Sequence, residues 1–300
     1  MINLAIEREK YMDWLKRMNE ALCYIESNLD GEIDYGVVAQ KACCSIYHFQ
    51  RMFSYMAEVP LSEYIRCRRL ANAAFDLQNT DAKVIDIALK YGYDSPTAFT
   101  RAFQNMHGIT PNAAKEKGVM LKAYPPITFQ ISIKGAAIMN YRIEEKGEIR
   151  VVGLKLSTTM ENGACYTEIP EFWAEAARSG KAASIASLIE NEPLGMLGIS
   201  SCDGIPLESK FDYYIAAATG KPVPEGAEEF IIPAATWAIF ECIGPMPQAI
   251  QDLQRRIVTE WLPSSGYEYG KAPDIEVYYD EDSTKPDTRS EVWIPVINKP

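Results

Sequence analysis

Nine residues, SIYHFQRMF (Ser45 to Phe53), return fifty positions later as SPTAFTRAF (Ser95 to Phe103), with Ser, Phe, Arg and Phe at matched offsets. A chain that carries this pattern twice has to build the same local object twice. In each copy the serine stands where a helix begins, and its hydroxyl can accept from the free N–H groups of the first turn. A helix carrying a small residue, Ala39 or Ala88, precedes each serine. Phe49 and Phe53, like Phe99 and Phe103, are four apart and share a buried face, while Arg51 and Arg101 point elsewhere. A short helix, a tight turn and a second helix with an apolar rear and a polar front make a helix-turn-helix, whose front enters a DNA major groove. The groove-facing candidates are Ile46, Tyr47, Gln50 and Arg51 in the first copy, and Pro96, Thr97, Thr100 and Arg101 in the second. Arginine can bridge guanine O6 and N7, glutamine can pair with adenine, and threonine methyls can touch thymine.

Between the copies, LSEYIRCRRLANAAFDL reads as a helix of about sixteen residues, roughly 25 Å long. Such a strut can hold two recognition helices ~34 Å apart, one turn of the duplex, so that a single chain reads two half-sites. Arg66, Arg68 and Arg69 on the strut suit phosphate contact, with a solvated charged face as the competing reading.

A net charge of −11 argues against nucleic acid until its distribution is considered. Through Met120 there are 14 Lys+Arg against 15 Asp+Glu, and after it 16 against 26. The acid belongs to the second half, and the first is close to neutral, which leaves room for a specific reader with weak sequence-independent affinity. The seven cysteines are scattered, without a CxxC pair, and His48 and His107 are the only imidazoles. A zinc site and a Ser/Cys-His catalytic pair therefore lack their usual parts, and no cofactor or metal is expected. Charged residues Glu7 to Lys10 interrupt the N-terminus, and no run of ~18 apolar residues follows, so the expectation is a cytoplasmic protein with no membrane partner.

The 300 residues, 47% of them apolar, are enough for about two domains. Residues 1–117 are helical in pattern. Residues 118–138 read as a linker with Gly118, Pro125 and Pro126 and a short strand in TFQISIKG, and residues 139–300 mix strands and helices. Strands are expected at Ile149–Thr158, Gly195–Ser200, Phe211–Thr219, Ala234–Ile243, Asp274–Tyr279 and Glu291–Ile297. Helices are expected at Pro170–Ser179, Ala183–Glu190 and Gln248–Leu262. The order strand, helix, strands occurs twice, so the fold class is an all-α domain with two helix-turn-helix motifs, followed by an α+β domain of two similar halves.

That second domain collects aromatic residues in or beside its strands: Trp173, Tyr213, Tyr214, Trp237, Tyr278, Tyr279 and Trp293. Glu276 and Glu291 lie on two late strands, and Glu276 shares a strand face with Tyr278. A carboxylate among aromatic rings is a receptor for a lipophilic cation. On spacing alone the plainer reading, core aromatics and solvated edge glutamates, stands ahead of it.

Two resemblances bear on these alternatives. The run from Ile33 to Pro111, with ALKYGYDSPTAFTRAFQNMHGITP and SEYIRCRRL, resembles the DNA-binding domain of the AraC/XylS family of transcription regulators. That likeness implies a monomeric two-motif reader of promoter DNA with RNA polymerase as a partner, and it places Tyr47, Gln50, Arg51, Thr97, Thr100 and Arg101 where the family usually faces bases or phosphates. Cys43 and Glu58 stand where glycine is common in that family, and Ala114 where an aromatic residue often closes the domain. IPAATWAIFECIGPMPQAIQDLQRRIVTEWLPSSGY, DIEVYYD and EVWIPV resemble the GyrI-like effector-binding domain, which also occurs fused to AraC-type readers in Rob-type regulators. It implies two α+β halves around a cleft in which an acidic residue binds organic cations, as in multidrug sensing. Glu276 is the first candidate for that residue and Glu291 the second, with Trp237, Tyr278, Trp173, Tyr213 and Trp293 as candidate walls. Some GyrI-like proteins hydrolyse small reactive compounds, so the alternative to a sensor is a hydrolase using Glu276 as general base.

Overall fold

The computed structural model describes residues 2–130, 138–160, 163–201, 210–280 and 282–299, with side chains from residue 13 onward. Its first part is helical: α1 (Ile2–Ser27), α2 (Tyr35–Ala42), α3 (Ile46–Ala57), α4 (Leu61–Asn79), α5 (Val84–Lys90) and α6 (Pro96–His107). Both repeated serines cap as expected. Ser45 Oγ accepts from the His48 amide at 3.2 Å and Ser95 Oγ from the Ala98 amide at 3.3 Å. The turn before the second serine uses Gly92 at φ 78°, whereas the first uses Cys43 at φ 52°. After the recognition helices, Gly108 (φ 81°) ends α6 and Glu58 (φ 58°) ends α3. Among the described residues, Cys43 and Glu58 are the non-glycine positions held left-handed, which is strained for a residue bearing Cβ. The strut α4 has 19 residues and so spans about 28 Å.

Two apolar clusters divide this part into lobes. Phe99, Phe103, Leu70, Leu77, Ile87 and Ala114 bury one another around the second motif. Phe49, Phe53, Val38, Leu22 and Ile25 bury one another around the first, in a cluster that continues into the C-terminal domain.

The C-terminal domain is one antiparallel sheet of β1 (Tyr141–Lys146), β2 (Ile149–Thr159), β3 (Met196–Ser201), β4 (Lys210–Ala218), β5 (Glu228–Ile232), β6 (Ala235–Ile243), β8 (Asp274–Tyr278) and β9 (Arg289–Asn298), with the short β7 (Tyr267–Tyr269) on β9. Its order, β1-β6-β9-β8-β3-β4-β2-β5, reads symmetrically from the central β8–β3 pair: β8, β9, β6 on one side match β3, β4, β2 on the other. Each half carries its helices after the first of those strands in sequence, α7 (Cys165–Arg178) and α8 (Lys181–Ala186) after β2, and α9 (Gln248–Arg256) after β6. These are the two similar halves expected. The helix α9 continues through a π-turn, Ile257–Trp261, into Leu262–Ser264. The helix expected from Pro170 begins earlier, at Cys165, and β5 and β7 were not anticipated. Of the strand expected in TFQISIKG, residues 128–130 are irregular and 131–135 lie outside the described residues.

Strand alternation gives this sheet two faces. One buries Trp237, Ile239, Ile275, Val277, Trp293, Leu197 and Ile199 against one another, and no helix residue is among the described members of that cluster. The other carries α7 and α8 over Phe211, Tyr213 and Ile215, and α9 with its π-turn over Phe240, Val292 and Ile294. Between these two helical layers the described residues of the C-terminal domain put no helix over β8 and β3, and the groove this leaves is filled by α3.

Candidate functional site

Glu276 opens into that groove because it pairs across the sheet with Gly198 on β3 and Val292 on β9, whose neighbours on the same face are under helices. Its Oε2 accepts from the Tyr278 hydroxyl at 2.7 Å and, more distantly, from the Tyr213 hydroxyl at 3.5 Å. Its Oε1 accepts from Gln254 Nε2, on α9, at 2.5 Å. From α7, the Trp173 indole donates to the Tyr213 hydroxyl at 2.9 Å and packs edge-on to the Tyr278 ring, centroids 5.4 Å apart. Four of the expected effector residues, Glu276, Tyr278, Tyr213 and Trp173, therefore meet at one place. Gly198 makes room for them: a Cβ there would lie 2.3 Å from the Tyr213 hydroxyl and 3.0 Å from Glu276 Oε2. Sequence reasoning missed Gly198 and Gln254. A glycine inside a strand signals close approach of another group, but alternation does not say which group.

Glu291, Trp293 and Trp237 are elsewhere, and the reason is the period of two. Across β8–β9, Glu276 is opposite Val292 while Glu291 is opposite Val277, so Glu291 shares the helix-free face. Trp293 and the fully buried Trp237 belong to that face too. Glu291 accepts from Arg142 Nη1, the Tyr279 hydroxyl and the Trp293 indole, each at 2.8 Å. Burial pushes its carboxyl up, but these donors outweigh burial and hold it below the usual range. It is a neutralised structural carboxylate rather than part of the Glu276 site.

The two recognition helices differ in what they face. On α6, Pro96, Thr97 and Arg101 are exposed and Thr100 half-buried, so that front is open to solvent. On α3 the front lies in the groove of the C-terminal domain. Tyr47 packs on Phe211, ring centroids 5.1 Å apart, Gln50 is buried, and Ile46 is half-buried. Arg51, its side chain 13% exposed, pairs with Asp274 on β8, itself 4% exposed. It also donates to the hydroxyls of Tyr47 at 3.2 Å and Tyr55 at 3.4 Å. The Tyr55 hydroxyl in turn donates to Gln254 Oε1 at 2.5 Å, which links α3 to the amide that holds Glu276. Beside this pair the His48 ring stacks on Tyr269 at 3.9 Å. Burial and Arg51 push the His48 imidazole down to about 3, so it is neutral, and its Nε2 lies 3.9 Å from Asp274 Oδ1. Burial raises the Asp274 carboxyl, and Arg51 pulls it partway back.

In the DNA-free chain the strut arginines are engaged within the protein. Arg66 pairs with Glu63, Arg68 with Glu26, and Arg69 donates to the carbonyls of Leu29 at 3.0 Å and Gly31 at 2.7 Å. The Arg68 and Arg69 bonds tie α4 to the end of α1 and its loop, whereas the Arg66–Glu63 pair stays within α4.

Among the described residues no His/Cys/Asp/Glu group is arranged to hold a metal, and no helix is long and apolar enough to cross a membrane. Residues 139–297 match the family described as GyrI-like small molecule binding domain, and residues 38–117 match a helix-turn-helix domain family. The HTH-type transcriptional activator AarP of Providencia stuartii is 42% identical over 95 residues, 32% of this chain and 70% of that one. The transcriptional regulator Rob of Salmonella typhimurium is 39% identical over 100 residues, 33% of this chain and 35% of that one. Among solved structures, SAV2435 bound to tetraphenylphosphonium is similar over 53% of this chain and 94% of that one, at 23% identity and a TM-score of 0.47. With a GyrI-like match over more than half its length and AraC-type relatives over its helical part, the chain belongs to the AraC-family transcriptional regulators that carry a GyrI-like small-molecule-binding domain at the C-terminal side.

Proposed function

We propose that this regulator works in the cytoplasm on double-stranded promoter DNA, with RNA polymerase as its partner there, and that its effector is a small lipophilic cation bound at Glu276. The carrying observation is the contrast between two carboxylates. Glu291 is neutralised by Arg142, whereas among the described residues Glu276 is held only by neutral donors, Gln254, Tyr278 and Tyr213. A carboxylate walled by indole and phenol rings attracts a desolvated cation through both its charge and the ring faces. On the DNA side, the open front of α6 and the matched offsets of α3 support reading by Thr97, Thr100, Arg101, Tyr47, Gln50 and Arg51.

Isothermal calorimetry of the full chain with benzyltrimethylammonium, against its uncharged isostere neopentylbenzene, tests the effector class. The cation is expected to bind and Glu276→Gln to weaken it by roughly 10- to 100-fold, the loss of about 1.4–3 kcal/mol of charge interaction. Glu291→Gln should leave affinity within about twofold, since its charge is used by Arg142. Equal binding of the two isosteres, unaffected by Glu276→Gln, would remove the cation reading. The same samples separate a sensor from a hydrolase: a sensor returns the compound intact.

A further inference from the structure

The face of α3 that a helix-turn-helix turns toward bases is the face seated in the effector groove. Tyr47 lies on Phe211, Arg51 on Asp274, and Tyr55 on the amide of Gln254 that holds Glu276. We propose that α3 is the gate of the effector groove, an intramolecular latch that withholds the first DNA reader until a cation occupies the site.

This rests on the effector reading above and adds its regulation. Arg51 is held as a bound cation would be: its guanidinium lies 6.0 Å from the Tyr47 ring centroid and 5.8 Å from that of Tyr55, with the Asp274 carboxylate as counter-charge. The latch therefore offers the acidic, aromatic groove a cation of its own. Tyr47 and Arg51 cannot reach a base edge while they fill the groove, and the described residues put no comparable cover on α6, so the closed chain reads one half-site. The effector competes through Gln254, whose amide donates to Glu276 and accepts from Tyr55. A cation that takes Glu276 Oε1 displaces that amide and with it the Tyr55 contact. The first lobe also shares an apolar cluster with β6, β9 and α9, so the closed form is a stable one. How far it opens is set by the difference in the cation's affinity for the two forms.

Hydroxyl-radical footprinting of the full chain tests the latch, on a duplex selected from random sequence by the Asp274→Asn protein. Asp274 belongs to the effector domain and to neither DNA reader, and its neutralisation leaves Arg51 without its counter-charge. Wild type alone is expected to protect one half-site. Adding benzyltrimethylammonium, or using Asp274→Asn without it, should extend protection to a second site about one helical turn away and tighten binding about tenfold. Phe211→Ala, which removes the seat of Tyr47, serves as a second unlatching change if Asp274→Asn does not fold. Wild type without cation giving the same footprint and affinity as the unlatched variants would overturn the latch. If the variants widen the footprint but the cation binds nowhere, the latch stands and the effector reading fails. If the cation binds at Glu276 but no variant changes the footprint, the reverse holds.

Discussion

Glu58 shows what a single residue contributes when its side chain has no say in its backbone. It ends α3 in the left-handed region, at φ 58°, where the second motif places Gly108. Among the described residues its side chain meets Arg255 in an exposed pair at 3.4 Å, of a kind that contributes little in water. Glu58→Gly is expected to raise stability by about 1 kcal/mol, seen as a higher urea midpoint at unchanged slope, while Glu58→Ala gains nothing. An unchanged midpoint for the glycine variant would mean that the left-handed turn is not strained. This strain was legible in sequence through the family resemblance, because Glu58 stands where glycine is common in that family. The split between Glu276 and Glu291 was not, although both sit on strands that were expected. Their facing depends on which residue of β8 stands opposite which of β9, and alternation within a strand leaves that register open.

At the scale of elements, the repeat is duplicated in geometry and divergent in surroundings. Both recognition helices have a serine cap and a Phe–Phe rear, but α6 presents its front to solvent and α3 to the effector groove. Arg101→Ala should therefore weaken specific DNA binding by about 1–3 kcal/mol with or without effector, as read by fluorescence anisotropy. Loss confined to the effector-bound state would contradict an always-available second reader. The motifs and most strands could be read from spacing, since caps, rear faces and alternation are local. The seating of α3 could not. A front of Tyr47, Gln50 and Arg51 is equally suited to bases and to an acidic, aromatic groove, and only the tertiary arrangement brings Asp274 and Phe211 to it.

For the whole molecule, the acid of the second half and the near-neutral first half acquire a structural meaning. The C-terminal domain supplies Asp274 and Glu276 to one groove, the DNA-binding domain supplies Arg51 to the same groove, and the two functions share one surface. Binding of DNA to both readers and binding of a cation to Glu276 both require α3 to leave, so each must favour the other to the same extent. The direct measurement is the affinity of the full chain for benzyltrimethylammonium with and without a saturating duplex that carries both half-sites. Affinity about tenfold tighter with that duplex than without it is expected, and no such gain with a duplex carrying only the site read by α6. Equal affinity in all three conditions would contradict it.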